Sequence, residues 1–170
     1  VLAISTDDVD TLKKWRAEGR TVESGEVKPK PATFKATYDT KRVRSMQQLV
    51  ANVESRAEQV IDARAADRFE GRAPEPRAGI RSGHIPGARN APTAADLGRR
   101  GRFRPRAELA ARYAELGAAG GRPVGVYCGS GVTAAHEVLA LELAGVSAAL
   151  YPGSWSHWVT DPSRPVATGD

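Results

Sequence analysis

The stretch that decides the fold is VYCGSGVTAAHEV, Val126–Val138, which contains Cys128, the single cysteine of the 170-residue chain. Apolar residues precede the cysteine, glycines follow it, and a long apolar pattern begins at Val132. This order predicts a buried strand, a glycine-rich turn and a helix. Gly129 and Gly131 allow successive backbone amides to point inward, and the helix start adds a positive dipole end. We therefore expect an anion-binding loop in which the thiol ionises more easily than a free one.

Short apolar runs and longer helical patterns alternate along the rest of the chain. The short runs predict buried strands over residues 59–63, 123–128 and 147–153. The longer patterns predict helices over residues 104–121 and 132–145, the second almost without a polar face and therefore buried. This alternation predicts an α/β fold with an open parallel sheet and helices on both faces. Ligands bind beyond the carboxyl ends of such strands, which is where the cysteine is expected.

The sequence before the first predicted strand indicates a helix, then a linker, then the start of a domain. Residues 7–20 carry apolar residues at near-helical spacing, whereas residues 21–41 contain prolines and no period, which is typical of an extended linker. Ser45 and Gln48 then form a capping-box pattern that predicts a short helix. We predict a leading segment, a linker and one domain over residues 1–20, 21–41 and 42–170, respectively.

Composition limits the class of protein. The chain is 41% hydrophobic and 26% charged, as in ordinary globular proteins. No apolar run approaches the roughly 20 residues that a membrane span needs. The acidic N-terminus lacks the features of a secretory signal, and one cysteine cannot form an internal disulfide. We expect a cytoplasmic protein without a membrane partner, and the start at Val1 suggests a fragment or a processed chain.

The net charge of +5 is concentrated in RRGRFRPR, Arg99–Arg106, which has five arginines in eight residues. Such a run can bind nucleic acid or another anionic partner, or it can be a solvated loop. Phe103 is the one aromatic residue there, and no nucleic-acid motif accompanies the run. We favour the solvated loop and expect no nucleic-acid partner.

The residues that follow the cysteine limit the kinds of reaction in which Cys128 can take part. A lone cysteine can be buried and inert, but the glycines and the helix start favour a reactive one. A phosphatase-type loop needs an arginine six residues after the cysteine, where this chain has Ala134. A thiol protease needs a histidine base, and the sequence alone does not place His84, His136 or His157 beside the sulfur. Scattered histidines and one cysteine give no metal-ligand spacing.

CGSGVTA, residues 128–134, resembles the active-site loop of the rhodanese superfamily, in particular that of the mercaptopyruvate and thiosulfate sulfurtransferases built from two tandem rhodanese domains. Three further stretches are similar to family motifs and occur in family order: VIDARAADRFEG at 60–71, PEPRAGIRSGHIPGARN at 74–90 and YPGSWSHW at 151–158. Four motifs in order are more specific than one. The resemblance covers residues 58–160 and implies the second, catalytic domain of such a protein.

The resemblance implies a sulfurtransferase without cofactor or metal. Cys128 would take the outer sulfur of a donor as a persulfide and pass it to a thiol or cyanide acceptor. Relatives that prefer thiosulfate resemble one another in carrying basic residues just after the cysteine, whereas Gly129 and Ser130 are neutral here. We therefore expect 3-mercaptopyruvate as donor, with thiosulfate as the alternative. Ser130 would donate a hydrogen bond to the substrate or leaving group, or merely cap the loop.

The resemblance also implies the residues that hold the donor. Arg68 and Arg77 match the anchoring arginines of the family, and this role is favoured over the alternative of a surface ion pair. Arg72 and Arg81 are nearby competitors for the same role. The loop residues expected to contact the donor are Gly129, Gly131, Val132 and Thr133.

Other motif residues are expected to have supporting roles. Asp62, at a strand end, would hold the active loop or Arg64. His84 is expected to tie the backbone of a tight turn rather than to act in catalysis. Trp155 and Trp158 are expected to be packing residues near the mouth of the site.

The chain departs from the tandem family in one respect. LKKWRAEGRTVESG, residues 12–25, looks like the last helix and exit of a first rhodanese domain, and the rest of that domain is missing. The resemblance therefore implies a partner, the N-terminal rhodanese domain, which would be a separate chain unless this chain is a trimmed product. A non-catalytic binding or regulatory module of the same fold is the alternative function.

Overall fold

The computed structural model describes residues 9–26, 28, 30–99 and 101–169. The acidic start of the chain, Pro29 in the predicted linker and Arg100 in the arginine-rich run therefore lie outside the described residues. The chain divides into two compact units, Val1–Thr37 and Tyr38–Asp170. The predicted boundaries near residues 20 and 41 stay a prediction.

The first unit contains helix α1, Val9–Ala17, which confirms the helix predicted there. The side chains of residues 9–12 lie outside the described residues, so Trp15 is the described member of the expected apolar set. Its indole nitrogen donates to the carbonyl of Thr21 at 2.9 Å, and the Arg20 guanidinium lies 5.0 Å from its ring centre.

The second unit is built on a four-stranded parallel sheet, which confirms the predicted α/β fold with an open parallel sheet. The strand order is β2-β1-β3-β4. The strands are β1, Gln59–Asp62; β2, Ala88–Asn90; β3, Val124–Tyr127; and β4, Ala148–Leu150. Every residue of the two central strands, β1 and β3, is buried, as expected for strands covered on both faces.

In the described part of the second unit, five helices cover the sheet, together with short 3-10 turns at Thr40–Arg42 and Thr93–Asp96. The helices are α2, Met46–Ser55; α3, Ala66–Phe69; α4, Arg106–Glu115; α5, Val132–Ala144; and α6, Ser154–Trp158. On one face, α4 and α5 pack against Ile61 and Val126. On the other, α2, α3 and α6 pack against Val60 and Tyr127. Within the described residues, no helix is both long enough and apolar enough to cross a membrane.

The start of α2 confirms the predicted capping box. The amide of Gln48 donates to the Ser45 hydroxyl at 3.3 Å, and the amide of Ser45 donates to the Gln48 side chain at 2.8 Å. Two N–H groups that the helix itself cannot satisfy are therefore paired at its first turn.

Strand β2 was not predicted, because its three residues, Ala88–Asn90, carry no apolar run. It lies at the edge of the sheet, where Arg89 is exposed. Its pairing with β1 sets Asp62 opposite Asn90. A strand this short is defined by its neighbour in the sheet rather than by its own sequence.

The prediction that α5 is buried all round is wrong. One face packs against the sheet and α4, but Val132, Leu139 and Leu143 are 78%, 50% and 42% exposed. The face that packs inward carries a fully buried acid, Glu137. The apolar pattern of α5 therefore does not by itself indicate burial, because part of the apolar surface of this helix faces outward.

Glu137 belongs to a buried pair of acids. It accepts a hydrogen bond from the hydroxyl of Tyr113 at 3.0 Å, and Arg112 donates to Asp96 at 3.0 Å. The second carboxylate oxygen of each acid has no protein partner among the described residues. Burial, and then the nearby Asp96 carboxylate, raise the pKa of Glu137 to about 8, against the opposing effect of the Thr93 and Tyr113 hydroxyls. At neutral pH Glu137 is therefore protonated and can donate to Asp96.

The raised pKa of Glu137 predicts that stability falls as pH rises from the ordinary carboxyl range to about 8. Between the ordinary carboxyl range and about pH 8, the folded chain keeps a proton that the unfolded chain has lost. The free energy of unfolding therefore decreases as pH rises through this window. Glu137→Gln should remove more than about 1 kcal/mol of this decrease, measured by urea unfolding at pH 6 and pH 9.

Glu115→Gln, at an exposed position of α4, is the matched control and should leave the pH dependence of the free energy of unfolding unchanged. The same pH dependence in Glu137→Gln and in the parent protein would contradict the prediction.

Candidate active site

Cys128 lies at the carboxyl end of β3, in the loop that joins this strand to α5. The residue is 2% exposed, and its Sγ accepts a hydrogen bond from the amide of Gly131 at 3.2 Å. Helix α5 begins at the next residue, Val132, so its positive end adjoins the loop. Within the described residues, the amides of Ser130 and Thr133 have no acceptor, so they can bind an anionic group.

The backbone at Gly131 requires glycine for two reasons. Its φ is 90°, in the left-handed region that other residues disfavour. A β-carbon there would also lie 2.6 Å from the carbonyl oxygen of Pro152, closer than such contacts allow. The predicted need for a flexible residue in this loop therefore has a specific steric cause.

The start of α6 holds the beginning of the cysteine loop through three hydrogen bonds. The amide of Cys128 donates to Oγ of Ser154 at 3.1 Å. The amides of Trp155 and Ser156 donate to the carbonyls of Cys128 and Gly129 at 2.9 and 3.0 Å. We call these three bonds the loop clamp. Because the clamp occupies the two carbonyls, they are not free to turn toward the ligand side of the loop.

The cysteine opens onto a cavity of about 290 Å³. It is lined by the cysteine loop, by the chain after β1 and by residues from the 75–80 segment. The cavity brings together six of the residues singled out in the sequence, namely Arg68, Arg77, Cys128, Gly129, Ser130 and Thr133. Residues far apart in the chain thus meet at the carboxyl edge of the sheet, as the predicted topology required.

Three other predicted residues do not line the cavity. Gly131 contacts the sulfur through its amide. Val132 points away from the packed core and is 78% exposed. Asp62 is fully buried and contacts Arg64 instead.

A second cavity of about 320 Å³ lies at the opposite, amino-terminal edge of β3 and β4. It is lined by Lys41, Arg44 and the loops at 118–124 and 145–149, and it contains neither cysteine nor histidine. The reactive groups are therefore at the cavity beside Cys128.

A chain of alternating charges runs along one wall of the cysteine cavity. Arg64 contacts Asp62 at 2.5 Å and Glu75 at 2.7 Å, and Arg68 contacts the other oxygen of Glu75 at 2.5 Å. We call these four residues the charge chain. Burial alone would lower the pKa of Arg64, but hydrogen bonds to Asp62 and the carboxylate charges outweigh it and raise that pKa above its ordinary range. Arg64 is therefore a fixed cation.

The two predicted anchoring arginines differ in their charge environment. Arg68 is bound by Glu75 through Nε at 3.2 Å and Nη2 at 2.5 Å, which offsets its charge. A β-carbon at Gly129 would lie 3.1 Å from Arg68 Nη2, so Arg68 also lies against the cysteine loop. Arg77 is exposed at the cavity and has no ion pair with any residue the structure describes. The uncompensated positive charge of this cavity therefore belongs to Arg77.

The two competing arginines are occupied elsewhere. Arg72 pairs with Glu70 and does not line the cavity. Arg81 donates to backbone carbonyls of the 161–164 segment. Neither is placed to hold a ligand at Cys128.

None of the three histidines lines the cysteine cavity. The ring of His84 is buried, stacks on Phe69 at 3.7 Å and bonds the Phe69 carbonyl through Nδ1 at 2.9 Å. Its structural role is confirmed, although it ties α3 rather than its own turn. His136 stacks on Phe103, and His157 bonds the hydroxyl of Tyr151 at 3.1 Å. A histidine base for a thiol protease is therefore missing from this site.

Sequence reasoning missed two residues that shape the site, Glu75 and Ser154. Glu75 occurs in the PEPR motif, two residues before Arg77, and an acid between arginines is a signal for an ion pair. Ser154 occurs in YPGSWSHW directly before Trp155, and no local sequence signal indicates its contact with Cys128. Trp155 and Trp158 are fully buried, and Trp155 also lies 4.7 Å from the Arg64 guanidinium.

With this fold and this loop, the chain belongs to the rhodanese-like domain family, whose model matches residues 45–161. The suspected resemblance to this family is confirmed.

Named relatives in the family are sulfurtransferases. The chain is 44% identical over 163 residues to the probable 3-mercaptopyruvate sulfurtransferase of Pseudomonas aeruginosa, covering 94% of this chain and 56% of that one. It is 40% identical over 159 residues to the putative thiosulfate sulfurtransferase SseB of Mycobacterium tuberculosis, covering 93% and 55%. The chain therefore spans about half the length of the curated relatives it matches.

A solved structure in the same family has the same fold. The crystal structure of SseA from Escherichia coli, described as a 3-mercaptopyruvate sulfotransferase with the rhodanese fold, superposes with a TM-score of 0.69 at 34% identity. The match covers 85% of this chain and 53% of that one.

Proposed function

We propose that the protein is a sulfurtransferase in which Cys128 carries sulfur as a persulfide from 3-mercaptopyruvate to a thiol or cyanide acceptor. The observation that carries the proposal is the position of the Cys128 sulfur. It lies beside a cavity that contains Arg77, a cation without an ion pair among the described residues, and it accepts a hydrogen bond from the amide of Gly131 at 3.2 Å. The names of its relatives support the same class of reaction.

The reaction has two half-reactions that return the cysteine to its starting state. In the first, the Cys128 thiolate attacks the sulfur of 3-mercaptopyruvate. A sulfur–sulfur bond forms, the carbon–sulfur bond breaks, and its electron pair leaves with pyruvate as the enolate, which takes a proton. In the second, the acceptor attacks the outer sulfur and the Cys128 thiolate departs. Loop amides stabilise the negative charge on sulfur at each stage.

Ser130 and Thr133 lie at the cavity with the donor. Ser130 is exposed and follows the cysteine by two residues, so its hydroxyl can donate to the keto oxygen as the enolate forms. Thr133 and the backbone of Gly129 complete the loop side of the donor site.

The charges at the cavity favour a donor with a single negative charge. Glu75 offsets Arg68, and Asp62 offsets Arg64, so Arg77 supplies the excess positive charge. One carboxylate, as in 3-mercaptopyruvate, is matched by one cation, whereas doubly charged thiosulfate is not. Asp62 supports the site by holding Arg64. The name of the Mycobacterium tuberculosis relative favours the alternative, a thiosulfate-preferring enzyme.

Incubation with 3-mercaptopyruvate should add one sulfur atom to Cys128, detected by mass spectrometry of the intact protein and of its peptides. The value of kcat/KM for 3-mercaptopyruvate should exceed that for thiosulfate by at least about tenfold, the effect of one poorly compensated charge. Cys128→Ser is the control and should gain no sulfur. A protein that takes no sulfur from either donor would contradict the sulfurtransferase proposal, and a preference for thiosulfate would contradict the choice of donor.

Arg68→Ala and Arg77→Ala should each raise KM for 3-mercaptopyruvate by about tenfold or more, because each removes a charge-assisted contact to the donor carboxylate. Arg72→Ala, outside the cavity, is the matched control and should leave KM unchanged. Arg68→Ala should also lower Tm because Glu75 loses a partner, whereas Arg77→Ala should not. An unchanged KM would remove the substituted arginine from the donor site.

We further propose that a second rhodanese domain, corresponding to the first half of the relatives, packs beside this one as a preceding domain or as a separate chain. The half-length match supports this partner, as do the exposed apolar residues of α5, which begins at the cysteine loop.

A cytoplasmic location also stays a prediction.

Adding the first half of the Pseudomonas aeruginosa relative as a separate chain should raise the sulfurtransferase rate several-fold. Leu139→Asp, on the exposed face of α5, should reduce that gain without changing the rate of the isolated chain. No gain with the parent chain would indicate a self-sufficient domain.

A further inference from the structure

Ser154, the first residue of α6, has an unusual backbone conformation beside the nucleophile. Its φ is 52°, in the left-handed region, and the residue is fully buried. Serine is disfavoured in this region relative to glycine. A strained residue that persists next to a reactive group is a reason to look for a role of its side chain.

The hydroxyl of Ser154 both donates and accepts a hydrogen bond. It donates to the carbonyl of Tyr151 at 3.0 Å, and this fixes the direction of its proton. Its lone pairs are therefore free to accept the amide of Cys128 at 3.1 Å. A glycine would satisfy the backbone at this position, but only a side-chain oxygen provides the acceptor.

The amide of Cys128 has no other partner among the described residues. Parallel pairing of β3 with β1 ends one residue earlier, at Tyr127. The neighbouring carbonyls are taken by the amides of Trp155 and Ser156 in the loop clamp. Without Ser154 Oγ, a buried N–H would be left unpaired, and the peptide that carries the sulfur would lose one of its fixed points.

We propose that Ser154 is a positioning residue for Cys128, because its hydroxyl fixes the peptide plane of the nucleophile and so directs the sulfur to the Gly131 amide and the cavity. The role of this residue in turnover rests on the proposed sulfurtransferase function. Its effect on the thiol itself does not, because the sulfur is held in the same way whichever reagent attacks.

Two substitutions separate positioning from simple structural support. Ser154→Ala and Ser154→Gly both remove the hydroxyl, but only the glycine relieves the backbone strain, so its Tm should be higher than that of the alanine variant. Both should lower kcat about tenfold with KM changed less than twofold, as expected when a buried hydrogen bond that orients the nucleophile is lost. Hydrogen exchange at the Cys128 amide should become faster in both.

The outcome that would overturn the proposal is a Ser154→Gly protein whose kcat recovers together with its Tm, because activity would then follow stability and not the hydroxyl. An unchanged exchange rate at the Cys128 amide would overturn it as well. Thr160→Ala is the matched control: it removes a hydroxyl that donates to the carbonyl of His157, and its kcat should match the parent.

The reaction of Cys128 with iodoacetamide distinguishes failure of this inference from failure of the proposed function. Both Ser154 variants should react about tenfold more slowly than the parent protein, since the sulfur is less well held by the amide of Gly131. If the parent transfers no sulfur but this difference is found, the function is wrong and the positioning role stands. Equal or faster alkylation in the variants would overturn the positioning role.

Discussion

The amides of Trp155 and Ser156 bond the carbonyls of Cys128 and Gly129, and the arrangement of the site depends on these contacts. A loop that follows a buried strand must pair its polar groups or lose stability. Here α6 takes the carbonyls on one side, which leaves amides for the ligand side. The Cys128 sulfur then accepts a hydrogen bond from one of these amides, that of Gly131.

The charges of this site are balanced within the charge chain, whereas the exposed Arg77 has no counter-ion among the described residues. Two acids and two arginines of the charge chain compensate one another, which is necessary because an unpaired buried ion is costly. Arg77 remains outside that chain, at the cavity. The charges of the cavity wall are thus balanced, and the exposed Arg77 is the cation that has no ion pair with a described residue.

Much of the fold could be predicted because its signals are local. The cysteine loop, the capping box at Ser45 and the central strands depend on short patterns, and the structure has them where expected. Strand β2 could not be predicted, since its three residues are ordered by pairing with β1. The partners of Glu75 and Ser154 could not be identified from the sequence, because they lie 11 and 26 residues away along the chain. The exposure of apolar side chains on α5 depends on the elements that pack beside this helix. The sequence of the helix alone does not determine which elements these are.

The charge chain has a consequence for how this site can change over evolutionary time. Loss of Glu75 alone would leave Arg68 without its counter-ion and Arg64 with Asp62 as its remaining acid partner, and loss of either arginine would leave Glu75 under-compensated. Substitution of one member therefore costs stability unless a second substitution accompanies it. The three positions should vary jointly among homologous sequences, whereas Arg77, which is tied to none of them, is free to vary alone.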